Sequence, residues 1–106
     1  MNEEIEPIVV GEIDDIDEGT VENFDHEDYS FAIFHLNSGF FATQGNCNCE
    51  ERAPLSESDI DGEELECVSC GNTYSIVSGD CISQPELNAL KIYDIYDEDG
   101  KIYLNL

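Results

Sequence analysis

Residues 40–85 read FFATQGNCNCEERAPLSESDIDGEELECVSCGNTYSIVSGDCISQP and contain all five cysteines of the chain. Four of them form two close pairs, Cys47-Asn48-Cys49 and Cys67-Val68-Ser69-Cys70, separated by the 17 residues from Glu50 to Glu66. Each pair follows a strand-like run. A glycine stands beside each, Gly45 and Gly71, where the backbone can turn closely around a metal. Two rigid hairpins would in this way present two ligands each to one centre.

Soft anionic thiolates bind iron–sulfur clusters and Zn²⁺ strongly. Four of them satisfy a [2Fe–2S] cluster, two per iron, or one tetrahedral Zn²⁺. Spacing does not separate these. Two cysteine pairs with a short segment between them also resemble a zinc ribbon, so the cysteines taken alone lean slightly to zinc. Four ordinary thiols without metal are the third reading, and two close pairs in turn-rich loops weigh against it.

Outward from the cysteines, the apolar pattern is short and alternating, which predicts strands. Ser30 to Leu36, SFAIFHL, is apolar on both faces and reads as a central strand. Asn37-Ser38-Gly39 is a hairpin turn leading to a strand over Phe40 to Gln44. Thr20 to Phe24 is a strand ending in the polar turn Asp25-His26-Glu27-Asp28. At the C-terminus KIYDIY (Lys91 to Tyr96) and KIYLNL (Lys101 to Leu106) flank DEDG, with Asp99-Gly100 as the turn. Asp61-Gly62 is another turn, between Asp59-Ile60 and Glu64-Leu65-Glu66. A short helix-like piece is expected near Pro85 to Leu90. Many short strands with frequent turns make this an all-β chain, an antiparallel sandwich or barrel.

The chain of 106 residues is long enough for one domain with one modest core, spanning 1–106. Small domains often gain stability from a bound metal. The 26 Asp and Glu against 3 Lys and Arg give a formal net charge of -23. Nucleic acid is excluded as a partner, because phosphate neutralisation needs Lys and Arg. An anionic membrane would repel this surface, and no apolar run approaches the roughly 20 residues that span a bilayer. A basic protein surface fits instead, with fast, salt-sensitive encounter. A solvated acidic coat, as in proteins of salt-rich cells, is compatible with that. MNEEIEPIVV lacks the basic and apolar regions of a secretory signal. A cytoplasmic location is expected, where paired cysteines bind metal more often than they form disulfides.

The whole chain resembles the Rieske family, in particular its small ferredoxins of the type associated with rhizopine catabolism. Rieske ferredoxins carry Cys-x-His in one loop and Cys-x-x-His-Gly in a second, roughly 15 to 20 residues later. CNC (47–49) and CVSCG (67–71) stand in those places. FFATQGNCNC resembles the strand into the first cluster loop, and APLSESDIDGEELEC the connecting hairpin. CGNTYSIVSGDCISQP resembles the second loop with the proline loop that covers the cluster, and LKIYDIYDEDGKIYLNL the closing hairpin. EIDDIDEGTVENFDHEDYSFAIFHL resembles the leading strands. The resemblance implies a β sandwich base with a small cluster-binding subdomain at about 45–85. It also implies a [2Fe–2S] cluster and single-electron transfer from a basic-surfaced reductase to an oxygenase or similar acceptor. The carrier would be a monomer with no catalytic residues of its own.

One departure matters. Cys49 and Cys70 stand where the family has its two histidines. Carried over, Cys47 and Cys67 hold the buried iron, and Cys49 and Cys70 the outer one. The alternative is a Cys₄ zinc module on the same scaffold without redox activity. A cluster-free relative, like the small subunit of assimilatory nitrite reductase, is disfavoured because four thiols are retained. Cys81 reads as a packed thiol, with a fifth ligand or redox partner as the minor alternative. His26 reads as exposed and His35 as a strand residue; neither fits a ligand position. Pro85 matches the covering loop, and Arg52 stands among acids beside the first loop.

Overall fold

A computed structural model of the chain describes residues 7–27, 29–49 and 51–105. The described residues form nine strands. They are β1 (Ile8–Glu12), β2 (Thr20–His26), β3 (Tyr29–Leu36), β4 (Gly39–Gln44), β5 (Asp59–Asp61), β6 (Glu64–Glu66), β7 (Thr73–Ser75), β8 (Ile92–Glu98) and β9 (Lys101–Asn105). Six make one antiparallel sheet in the order β1-β9-β8-β4-β3-β2, and β5-β6-β7 make a second, small one. The expected all-β architecture is therefore the observed one.

β3 explains how the two sheets come together. Its residues from Phe31 to Phe34 are all buried, as the two-faced apolar pattern predicts. Side chains alternate across a strand, so each face feeds a different core. Phe31 and Ile33 pack with Ile16, Ala42, Ile102 and Leu104. Ile102 and Leu104 lie on β9, three strands away from β3 with β8 and β4 between. A sheet whose two arms bury residues in one cluster must curl, as twisted sheets do. The edge-on contact of Phe31 with Tyr93, 4.9 Å between ring centres, closes that interior. Ala32, Phe34 and Leu36 point the other way. They pack with Leu55, Leu65, Tyr74 and Ile76 beneath the small sheet, in the core that also contains Cys47 and Cys67.

The hairpins follow the turn chemistry of the sequence. Asp99 and Gly100 have φ of 55° and 83°, the left-handed pair that a two-residue hairpin turn requires. Leu36 pairs with Gly39, so the β3–β4 turn is Asn37-Ser38 and Gly39 opens the next strand. Three expectations shift. β2 continues through Asp25 and His26, which pair with Ser30 and Tyr29; antiparallel pairing overrides the polar composition. Residues 85–90 form no helix but a turn, with Leu87 N–H donating to the Gln84 carbonyl. The short helical pieces lie instead at Ile13–Asp15 and Leu55–Glu57, both 3₁₀. Leu106 and Asp28 lie outside the described residues. No described helix is long and apolar enough to cross a membrane.

Gly45 joins β4 to the first cysteine loop. Its N–H donates to the Ser30 carbonyl, and its own carbonyl accepts from Leu55 N–H, both at 2.8 Å. A Cβ at this position would stand 2.8 Å from the Ser30 carbonyl carbon and 2.9 Å from its Cβ. Gly45→Ala should therefore cost about 2 kcal/mol, by the usual penalty for overpacking. Thermal unfolding checks it, with a melting temperature equal to the parent's counting against this close approach.

Candidate metal centre

The two cysteine loops close by the same device. Cys47 N–H donates to the Ala53 carbonyl at 2.8 Å, and Cys67 N–H to the Asn72 carbonyl at 3.0 Å. The residue just before each accepting carbonyl is left-handed, Arg52 at φ 51° and Gly71 at φ 76°. Glycine adopts this freely, while arginine does so at a cost, which the loop's hydrogen bonds must hold in place. Arg52 N–H reaches back to the Cys49 carbonyl, and Asn46 Nδ2 donates to the Arg52 carbonyl at 2.7 Å. The sequence marked Arg52 only as an isolated cation.

These loops bring the Sγ atoms of Cys47, Cys49, Cys67 and Cys70 within 4.8 Å of one another. Cys47 Sγ lies 3.8 Å from Cys70 Sγ, and Cys49 Sγ 4.0 Å from Cys67 Sγ. Cys47 and Cys67 are buried, Cys49 is half-buried and Cys70 is exposed. The inner members are thus the first cysteine of each pair. Neither histidine joins them. His35 Nδ1 bonds the Ile16 carbonyl at 2.8 Å and its ring stacks on Phe40, so it serves the β2–β3–β4 arm. His26 pairs with Glu27 at 3.7 Å. Cys81 is buried, faces Ser83 and sits outside the group of four, in keeping with a packed thiol.

The surroundings divide the four thiols. Burial pushes the Cys47 thiol up to about 12, against a smaller lowering by the Cys49 N–H. Burial also acts upward on Cys49. There the N–H groups of Ala53, Arg52 and Glu51, with the Cys47 thiol, outweigh it and bring the thiol down to about 7. Cys70 is raised, first by burial. Tyr74, buried with its hydroxyl 4.0 Å from Cys47 Sγ, is raised by burial and then by repulsion from Cys47. Ser69 N–H points at Cys67 Sγ at 3.4 Å. Backbone N–H groups directed at sulfur favour the thiolate, the form that binds metal.

A cavity of about 260 Å³ lies beside Cys49, lined by Asn48, Asn72, Tyr74, Leu87 and Asn88. The turn segment after Pro85 supplies its outer wall, so the expected covering loop is present although Pro85 itself is not in the lining. Nothing in the sequence points to Asn72 or Leu87 at the site, and Asn48 is marked there only as part of the exposed loop tip with Cys49, Cys70 and Gly71, since an asparagine in a cysteine loop reads as a turn residue. The donor set fits a thiolate-bound iron–sulfur cluster or a Zn²⁺ ion. The cavity offers room next to Cys49.

Comparison with known proteins agrees. The family model of the Rieske [2Fe-2S] domain matches residues 6–94. The biphenyl dioxygenase ferredoxin subunit of Pseudomonas sp. strain KKS102 is 29% identical over 93 residues, covering 88% of this chain and 85% of that protein. Ferredoxin CarAc of Metapseudomonas resinovorans is 27% identical over 73 residues, covering 69% and 67%. Among solved structures, the Sphingomonas yanoikuyae B1 ferredoxin superposes with a TM-score of 0.85 at 20% identity, covering 95% of this chain and 99% of that one. A putative NADH-dependent nitrite reductase small subunit of Mycobacterium tuberculosis does so with 0.86 at 14% identity, covering 98% and 97%. These superpositions establish a shared fold.

The unequal thiols give a direct test. At pH 7.5 iodoacetamide should alkylate Cys49 first and Cys47 last in the metal-free protein, since the thiolate is the reacting form. Peptide mapping reads the order; Cys47 reacting as fast as Cys49 would contradict the assigned environments.

Proposed function

This chain belongs to the Rieske [2Fe–2S] domain family, and on that premise we propose that it carries single electrons from a reductase to an oxygenase or similar acceptor. The observation behind this reading is the gathering of Cys47, Cys49, Cys67 and Cys70 at one end of that fold, with all four Sγ atoms within 4.8 Å. In the proposal these four residues are the cluster ligands. They belong to a cluster-binding subdomain at about 45–85 within a single domain over 1–106. The buried Cys47 and Cys67 hold the inner iron, and the more exposed Cys49 and Cys70 the outer iron. The relatives named as ferredoxins of dioxygenase systems support the role of carrier.

A bound [2Fe–2S] cluster supplies a one-electron couple. This chain's own part is to hold, shield and tune it. Two thiolates replace two neutral imidazoles, which adds negative charge and makes reduction harder. No imidazole is left to couple a proton to reduction. The potential should therefore lie near the roughly −400 mV of plant-type all-cysteine ferredoxins, below the usual Rieske range. It should also stay flat with pH between about 6 and 9. The purified protein should be brown and bleach on reduction. A redox titration with a high potential falling with pH would overturn the all-thiolate assignment.

A second reading is supported by the sulfur spacing. A tetrahedral Zn²⁺ with metal–sulfur bonds of about 2.3 Å places its thiolates about 3.8 Å apart. Cys47–Cys70 and Cys49–Cys67 lie at 3.8 and 4.0 Å, and all four sulfurs within 4.8 Å. Two irons need the outer thiolates to stand further from the inner ones, toward the cavity beside Cys49. A colourless protein with one zinc per chain would decide for this reading and leave the fold intact.

Docking is assigned to the exposed tip at Asn48, Cys70 and Gly71, next to the half-buried Cys49, with Val68 also exposed there. Glu51, exposed beside the first loop, and Glu50, which lies outside the described residues, face a basic partner in this proposal. The carrier acts as a monomer in the cytoplasm. Replacing both by glutamine should slow electron transfer about three- to tenfold at low ionic strength. The difference should vanish as salt shortens the Debye length below ~8 Å. Stopped-flow reduction measures it; equal rates at low salt would remove these acids from the docking face.

A further inference from the structure

Residues 83–89, the segment over the site, form no strand and are exposed. Two side-chain amides, one from each cysteine loop, tie the segment down at opposite ends. Asn48, between Cys47 and Cys49, donates Nδ2 to the carbonyls of Asn88 and Ala89 at 3.3 and 3.2 Å, and its Oδ1 accepts from Gln44 Nε2 at 2.8 Å. Asn72, two residues after Cys70, holds the other end. Its Oδ1 accepts from Ser83 Oγ at 3.0 Å and from Gln84 Nε2 at 2.9 Å. Its Nδ2 points at Cys70 Sγ, 3.5 Å away.

The contacts around Ser83 favour one orientation of the Asn72 amide. Thr73 N–H donates to Ser83 Oγ at 3.0 Å. An N–H has only a proton to give, so the Ser83 hydroxyl hydrogen is free to go to Asn72. Asn72 Oδ1, at 3.0 Å, is a nearer acceptor for that hydrogen than Cys81 Sγ at 3.8 Å, and with its oxygen on Ser83 the amide turns its NH₂ toward Cys70. A flipped amide would set NH₂ against Gln84 Nε2 and leave Cys70 facing an oxygen.

We propose that Asn72 tunes the centre by donating an N–H hydrogen bond to the outer ligand Cys70, with Ser83 and Gln84 holding the amide in that orientation. The proposal rests on the redox reading above. Hydrogen bonds to ligand sulfur stabilise the more negative, reduced state and so raise the potential. In an all-thiolate centre, such a donor partly offsets the charge that the second pair of thiolates adds. Asn48 fastens the same segment yet is assigned no bond to sulfur, which makes it the internal control for mere loosening of the cover.

The test compares midpoint potentials of the parent, Asn72→Ala, Ser83→Ala and Asn48→Ala proteins. Loss of the Asn72 donor should weaken reduction about tenfold, a fall of about 59 mV for a one-electron couple. Ser83→Ala should shift the same way by less, and Asn48→Ala should stay within about twofold of the parent. An unchanged potential in Asn72→Ala, or an equal fall in Asn48→Ala, overturns the assignment. A protein with no reducible centre defeats the carrier reading on its own. The hydrogen bond is then read in the Co²⁺-loaded protein, where the thiolate-to-metal charge-transfer band should move in Asn72→Ala and hold in Asn48→Ala. A band fixed in both, or moved equally in both, overturns the assignment there.

Discussion

Four sulfur atoms within 4.8 Å of one another are the constraint on which the cysteine-bearing half of this chain depends. They come from loops 17 residues apart, and the three strands between and after them are only three residues long each. Strands that short give little independent stability. Like charges at such spacing would repel, and the site is uneven besides, with burial pushing the Cys47 thiol up to about 12 and the loop's N–H groups bringing Cys49 down to about 7. In the proposed reading a bound metal would relieve this by neutralising the thiolates and cross-linking the loops at once, so that ligand binding and local folding would be linked.

The curled six-stranded sheet makes that arrangement possible from below. β3 buries Phe34 and Leu36 toward the small sheet and Phe31 and Ile33 toward the interior of the curl. One strand thus fixes both halves, and the cysteine loops stand on a floor whose position is set by the larger core. Gly45 is the joint, packed against Ser30 of the same strand.

Much of this was legible in the chain because it rests on local chemistry. The cysteine pairs announce a gathering of four thiols by spacing, Asp99-Gly100 announces a hairpin by its backbone needs, and SFAIFHL announces a central strand by being apolar on both faces. The homologous order of these pieces then names the fold. What stayed hidden depends on contacts made across the structure. Asp25 and His26 look like a turn until Ser30 and Tyr29 pair with them. Residues 85–90 look helical by composition, yet Asn48 and Asn72 reach up to claim the segment's ends. Arg52 is left-handed only because its neighbours' hydrogen bonds place it so.

The acidity raises a question of recognition that the geometry helps to answer. An added electron changes a formal charge of -23 by a single unit. Under the proposed docking, long-range attraction to a basic partner would therefore be nearly the same for both redox states, and steering alone could not favour the loaded carrier. Any discrimination has to arise within about one Debye length of the centre, ~8 Å at physiological salt. The exposed groups at that range include Cys70 and its neighbour Val68, with Leu87 in the wall of the cavity beside Cys49. In the proposed reading, apolar contact there would remove water from around Cys49 and Cys70 and strengthen the local charge difference that electron transfer makes. The acidic coat would then set how fast partners meet, and the small apolar tip which redox state they keep.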